Sequence, residues 1–145
     1  MSRELLYGAT KVEETEGGKA ALESLEQFRW RNRVMVIFAD KDNSRAARQE
    51  NQLLADRPGL EERHMVVLKI SGSSIKPVFG AGENLDEQTI RKELDVPESG
   101  EFGAVLIGKD GTVKLKVSEP VSNVELFAII DSMPIRAADS LTPDI

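Results

Sequence analysis

The sequence contains no cysteine, and this absence excludes more chemistry than any residue present establishes. A thiolate is the nucleophile in thiol peroxidases and in disulfide exchange, and it is also a common metal ligand. The chain therefore cannot carry out thiol-dependent oxidoreductase or peroxidase reactions. It also cannot form a disulfide bond or hold a metal through sulfur.

Histidine is almost absent as well, because His64 is the only one. A zinc site would have to be built from carboxylates alone, which zinc seldom accepts. A serine nucleophile such as Ser44 would need His64 beside it, but the two are predicted at opposite ends of a pair of parallel strands. We therefore predict no catalytic triad, no metal site and no cofactor.

Positive charge and long apolar runs are also scarce. The net charge of −6 argues against a nucleic-acid partner, since no excess of cations is present to neutralise phosphates. No stretch is long and apolar enough to predict membrane insertion or a signal peptide. The expected location is the cytoplasm if Met1 is the true start, and the periplasm or outside the cell if a signal peptide was removed.

The length of 145 residues predicts one domain that needs neither metal nor disulfide to fold. We divide the chain into a flexible acidic lead-in over 1–17, a folded domain over 18–136 and a C-terminal tail over 137–145. Apolar spacing predicts a short helix that begins near Lys19. The apolar run 34–39 predicts a buried strand, followed by a helix to Leu54 that Pro58-Gly59 ends, and then a strand over 64–70.

The second half of the domain predicts a hairpin and two more helices. Residues 71–85 are rich in glycine and serine and predict a loop, after which Asp86 caps a helix that ends at Leu94. Strands over 102–107 and 112–117 are joined by a turn at Asp110-Gly111. Ser122 and Glu125 form a capping box that begins the last helix, which Pro134 ends. This order predicts an α/β thioredoxin-like fold, with a βαβ unit and an antiparallel β-hairpin in one mixed sheet flanked by helices.

Arginines surround the single tryptophan in the segment RWRNR, residues 29–33. Stacking on nucleic acid is one interpretation of such a cluster, but the acidic balance of the chain disfavours it. We expect a solvated approach to the first core strand, with Trp30 packed on its edge.

Three segments carry a family resemblance: FRWRNRVMVIFA, RHMVVLKI, and VPESGEFGAVLIGKDGTVKLKVSEPVSNVELFAIIDSMPIR. Over roughly 28–136 the chain resembles a peroxiredoxin-like domain of unknown function, the P-DUDES group. That group includes bacterial proteins, many of them exported, and vertebrate secreted proteins such as equarin and the sushi-repeat-containing proteins. The resemblance implies a redox-silent thioredoxin-like scaffold and brings no catalytic residues. Residues 39–45, ADKDNSR, stand where thioredoxins hold the reactive cysteine, and Glu101-Phe102-Gly103 stands where they hold a cis-proline.

The junction between the first core strand and its helix is the candidate binding face. Asp40, Asp42 and Ser44 begin like a calcium loop, but Arg45 replaces the required glycine, so we expect helix capping instead. An anion bound at the helix start is an alternative. The residues proposed for this face are Asp40, Asp42, Ser44, Arg45, Arg48, Phe79 and Phe102, with Phe79 exposed in the following loop.

Three functions are compatible with these patterns. We favour a binding module for a protein or peptide. A non-thiol enzyme or anion site at the junction is the first alternative, and a structural domain that forms homo-oligomers is the second.

Overall fold

The computed structural model describes residues 2–7, 10–15 and 21–133. The strands among them are β1 Ser2–Tyr7, β2 Thr10–Thr15, β3 Arg33–Phe38, β4 Met65–Ser71, β5 Ser74–Phe79, β6 Gly103–Ile107 and β7 Val113–Val117. The helices are a 3₁₀ helix Glu23–Phe28, α1 Ser44–Leu54, α2 Arg57–Glu62, α3 Glu87–Leu94 and α4 Asn123–Asp131.

All of these strands belong to one mixed sheet of order β1-β2-β7-β6-β3-β4-β5. The central strand β3 pairs in parallel with β4 and antiparallel with β6, and β6 forms the predicted hairpin with β7. The chain returns from β3 to β4 through α1 and α2, as expected for a βαβ unit. The predicted mixed sheet is therefore confirmed.

The two faces of β3 divide the hydrophobic core into two layers. Met35 and Ile37 point toward the layer formed by α1, α2 and α4. Val34, Val36 and Phe38 point toward the layer of the 3₁₀ helix and α3. Because alternate residues of a strand face opposite sides, a sheet covered on both faces requires an uninterrupted apolar run here.

The N-terminal segment differs from the predicted flexible lead-in. β1 and β2 pair with each other, and β2 adds antiparallel to β7 at the edge of the sheet. The edge of a sheet offers unpaired backbone groups with which a further strand can pair. The predicted tail over 137–145 and the helix stop at Pro134 lie outside the described residues.

Two breaks between elements also differ from prediction. The helix after β3 ends at Leu54, and Pro58 and Gly59 lie inside α2, where proline is tolerated in the first turn. Asp56 caps α2 by accepting a hydrogen bond of 3.0 Å from the Gly59 amide. The predicted loop over 71–85 contains β5, which folds back on β4 through a turn with Gly72 at φ +59°.

The local predictions at two helix starts are correct. Asp86 precedes α3 and accepts from the Thr89 amide at 3.1 Å. Ser122 precedes α4, and its Oγ accepts from the Glu125 amide at 3.2 Å. The Glu125 carboxylate accepts from the Ser122 hydroxyl at 3.0 Å, so the two side chains bond each other directly.

Candidate functional site

Asp40 lies immediately after β3 and satisfies the first turn of α1. Its Oδ2 accepts from the Arg45 amide at 3.0 Å and from the Ser44 hydroxyl at 3.2 Å. Its Oδ1 accepts from the Ala46 amide at 3.0 Å. Asp40 is buried. A carboxylate of the chain itself thus fills the place where this helix end would stabilise an anion.

The pKa of Asp40 reflects two opposing effects. Burial raises it by penalising the charged carboxylate, whereas hydrogen bonds from backbone amides, first that of Arg45 and then that of Ala46, lower it. The hydrogen bonds prevail and hold the pKa of Asp40 well below its ordinary value. Asp40 is therefore a fixed negative charge at neutral pH.

The remaining amides of the first turn are also occupied. Asp42 Oδ1 accepts from the Ser44 amide at 3.1 Å and from the Ser44 hydroxyl at 2.9 Å. The Asn43 amide donates to the Asp40 carbonyl at 2.9 Å. Asn43 has φ +62° and no side-chain capping bond, so Asp40 and Asp42 provide the cap. All four amides that a helix start leaves unpaired are satisfied within the chain.

Arg45 and Arg48 are the cationic members of the candidate face. Arg45 Nε donates to Glu119 Oε2 at 3.0 Å, in an ion pair that is about half exposed. Arg48 is also exposed and has no ion pair with any residue in the described part of the chain. The outer rim of the junction therefore carries one paired and one unpaired arginine.

The two candidate phenylalanines lie at different ends of the sheet. Phe102 precedes β6, close to the junction, where the Lys41 amide donates to the Gly100 carbonyl at 2.9 Å. It is buried in the core layer formed by α1, α2 and α4 and is not exposed on the candidate face. Phe79 ends β5 opposite Val67, near the start of β4, and is half-buried rather than exposed in a loop. The antiparallel return of β5 carries Phe79 away from the junction.

Gln49 is a buried residue near the site that the sequence does not single out. Its Nε2 donates to the Val121 carbonyl at 3.0 Å, and the Val121 amide donates to its Oε1 at 2.8 Å. This pair of hydrogen bonds ties α1 to the segment before α4. A glutamine in an amphipathic helix gives no local signal that it faces inward.

The opposite end of β3 contains a cluster of basic groups. Arg33 is fully buried and donates to the Arg63 carbonyl at 2.9 Å. Lys109 is also buried, and its ammonium donates to His64 Nδ1 at 2.5 Å. His64 is thus engaged by a lysine and lies far from Ser44, as predicted.

A cleft of about 680 Å³ opens beside this basic cluster. Its lining includes Arg31, Arg57, Glu61, His64, Val78 and Phe79. Trp30 is the neighbour in sequence of Arg31, which lines the cleft. Its side chain is 62% exposed, so the expected packing of Trp30 on the strand edge is wrong. The Trp30 amide donates to the Lys109 carbonyl, and the backbone of Trp30 is left-handed there, with φ +65°.

In the part of the chain that the structure describes, no group of three or more histidine and acidic residues is placed to hold a metal ion. No helix there is long and apolar enough to cross a bilayer.

Comparisons with known proteins match most of the chain. A family model described as "Domain of unknown function (DUF4174)" matches residues 24–139. The zebrafish (Danio rerio) protein "Coiled-coil domain-containing protein 80" is 32% identical over 131 residues, which cover 77% of this chain and 15% of that protein. "Sushi repeat-containing protein SRPX2" is 28% identical over 111 residues in both cattle (Bos taurus) and human, covering 74% of this chain and 24% of theirs.

A solved structure has the same fold. The crystal structure of reduced Plasmodium vivax 2-Cys peroxiredoxin superposes with a TM-score of 0.55 and 23% identity, over 80% of this chain and 84% of that one. The predicted thioredoxin-like fold is therefore confirmed, on a chain without cysteine.

Proposed function

Because the chain belongs to the family described as a domain of unknown function, DUF4174, we propose that it acts as a cysteine-free thioredoxin-like module that binds a protein or peptide. Two other features of the chain agree with a binding role. The matched region makes up only 15% and 24% of the relatives above, so in them it is one part of a longer protein. The thiol chemistry of the fold cannot occur here.

The observation that carries the proposal is the occupation of the α1 start by Asp40. In a thioredoxin-like fold this helix end stabilises a reactive anion. In this chain the Arg45 and Ala46 amides already donate to the Asp40 carboxylate. No amide of that turn is left for a substrate anion, which favours a structural role for the junction over the enzyme and anion-site alternatives.

We propose that the partner contacts the outer rim of this junction. Asp42 is held by its hydrogen bonds to Ser44, and Arg45 by its bond to Glu119. Arg48 remains exposed beside them. Side chains held before binding lose less conformational entropy when a partner arrives, so a rim of this kind suits recognition.

A capture experiment with matched charge changes tests this proposal. Immobilised wild-type protein is compared with Arg45→Glu/Arg48→Glu and with the control Lys76→Glu/Lys92→Glu, using lysate and envelope fractions of the host organism. We expect a partner that the wild type and the control retain and that the junction variant loses. Equal retention by all three proteins would place the binding surface elsewhere. Any peroxide consumption above the buffer rate would contradict the absence of redox chemistry.

Self-association is the second outcome that the chain allows, since a sheet with free edges can pair with a second copy. Light scattering on gel-filtration fractions at several concentrations distinguishes a monomer from a homo-oligomer. A concentration-dependent mass would make the partner another copy of this chain, and its loss in the junction variant would place that contact at the junction rather than at a sheet edge.

A further inference from the structure

The surface around Trp30 and the cleft beside it differs from the rest of the protein in both charge and exposure. Trp30 is 62% exposed, whereas nearly every other large apolar side chain in the described part is at least partly covered. Arg29 lies over the Trp30 ring, with its Cζ 5.4 Å from the ring centroid. We call Trp30, Arg29 and the adjacent cleft the Trp30 surface. It lies at the amino end of β3, away from the junction.

The arginines of the Trp30 surface carry unbalanced positive charge. Arg29, Arg31 and Arg57 are all exposed, and none has an ion pair with any described residue. Glu61 is the one carboxylate in the cleft lining, and it offsets only part of this charge. In a chain of net charge −6, a cluster of exposed and unpaired arginines is a local reversal of sign. Such a patch attracts a partner with negative charge.

The floor of the cleft is apolar. Val78 and Phe79 line it and are half-buried, and the buried residues Met65 and Val66 also line it. This combination of an apolar floor, an arginine rim and an exposed tryptophan has the composition of interface hot spots. Arginine binds carboxylates with two parallel hydrogen bonds, and tryptophan offers a large rigid contact area.

We propose that the Trp30 surface binds an acidic peptide segment of a partner, with carboxylates on Arg31 and Arg57 and an apolar side chain on Phe79. This inference rests on the proposed binding function and adds a second surface with its own partner chemistry. The peptide lies in the cleft rather than along the edge of β5, because Pro77 has no amide to donate and Lys76 adds a charge at that edge.

A peptide fits this surface better than a single-stranded nucleic acid does. A nucleic acid brings one negative charge per nucleotide, and the 25 acidic residues of this chain would repel the strand beyond the cleft. A peptide with two or three carboxylates matches the few arginines present and also supplies a side chain for the apolar floor.

The single tryptophan makes binding directly observable, because any change in its fluorescence arises at Trp30. The probes are a synthetic decapeptide that combines aspartate and glutamate with leucine and phenylalanine, the same peptide with asparagine and glutamine in place of the acids, and decathymidylate. Each is titrated into the full chain, and isothermal calorimetry repeats each titration.

We expect the acidic peptide to bind with micromolar affinity and its amide counterpart at least tenfold more weakly. Arg31→Glu/Arg57→Glu is expected to weaken the acidic peptide at least tenfold. The control Lys76→Glu/Lys92→Glu has the same change in charge at exposed sites outside the cleft lining and is expected to stay within twofold of the wild type. All four substituted residues are exposed, and circular dichroism verifies that each variant folds.

Three outcomes would overturn the assignment. They are tighter binding of decathymidylate than of the acidic peptide, equal weakening in both double variants, and no heat or fluorescence change with any probe. The last outcome would leave the junction proposal intact, since the capture experiment with Arg45→Glu/Arg48→Glu tests that surface separately. Loss of peptide binding in Arg45→Glu/Arg48→Glu, with binding kept in Arg31→Glu/Arg57→Glu, would instead move the acidic peptide to the junction.

Discussion

Removal of the Asp40 side chain is the sharpest test of the interpretation of the junction. In the Asp40→Ala variant the Arg45 and Ala46 amides lose a charged acceptor, at present 3.0 Å from each. A hydrogen bond to a charged group contributes roughly 1.5–3 kcal/mol, and loss of a helix cap costs about 0.5–2 kcal/mol. Water can reach the exposed start of α1 and replace part of the loss. We therefore expect the free energy of unfolding to fall by about 2–3 kcal/mol, on the scale of these capping and hydrogen-bond effects.

The assay is urea unfolding at pH 7, followed by circular dichroism and by Trp30 fluorescence. The Asp42→Ala variant is the matched control, because Asp42 is exposed and accepts from only one helix amide, that of Ser44. We expect it to lose less than about 1 kcal/mol, in the lower half of the range for helix caps. Equal slopes of the three unfolding curves would show that only stability differs.

The pH dependence of the same experiment has a definite sign. The pKa of Asp40 is lower in the folded chain than in the unfolded chain, so its charge stabilises the fold above the unfolded value, near pH 4. A second variant, Asp40→Asn, cannot ionise at this position. As the pH falls below about 4, the wild type loses the contribution of the charge, so the difference in free energy of unfolding between wild type and Asp40→Asn becomes smaller.

A different result would refute the structural role of Asp40. If Asp40→Ala were as stable as the wild type, or more stable, the carboxylate would be a group kept at the expense of stability, as functional residues often are. That result would favour the alternative of a non-thiol enzyme at the junction. A difference between wild type and Asp40→Asn that stays constant down to pH 2 would contradict the assigned cause of the pKa shift.

Three further predictions concern other parts of the fold. Ser122→Ala removes the acceptor of the Glu125 amide and is expected to lower the free energy of unfolding by about 1 kcal/mol; an unchanged denaturation midpoint would show that this cap is dispensable. Gly59→Ala would place a Cβ 2.5 Å from Asp56 Oδ2 and 2.7 Å from Phe127 Cε2, so we expect a loss of about 1–3 kcal/mol in thermal unfolding, and a wild-type melting temperature would contradict the packing of α2 on α4. Without cysteine, the protein is expected to consume hydrogen peroxide no faster than buffer in a standard peroxidase assay, and a rate above the blank would mean that another group does the chemistry.

The candidate face was only partly predictable. Closeness in sequence predicts that four of the candidate residues lie together. The structure confirms this at the start of α1 for Asp40, Asp42, Ser44 and Arg45. The sequence predicts helix capping at this junction but not which side chain provides the cap, since that depends on how the chain leaves β3. The sequence predicts Phe79 in a loop, whereas it ends β5, because a segment rich in glycine and serine does not indicate a strand.

The sequence by itself determined the properties that depend on composition and on neighbouring residues. The lack of cysteine excludes thiol chemistry in any conformation. The apolar run of β3 required a sheet covered on both faces, and the caps at Asp86 and Ser122 follow from hydrogen bonds that span only three residues. Periodicity and local bonding are properties of a short segment, so they can be predicted before the fold is known.

Only the tertiary structure decided the properties that join distant segments. The pairing of Gln49 with Val121 spans 72 residues, and the return of β5 separates Phe79 from the junction. The backbone hydrogen bond between the Trp30 amide and the distant Lys109 carbonyl also joins segments that are far apart in sequence. No local pattern encodes these contacts, because each one forms only when the whole sheet brings its two partners together.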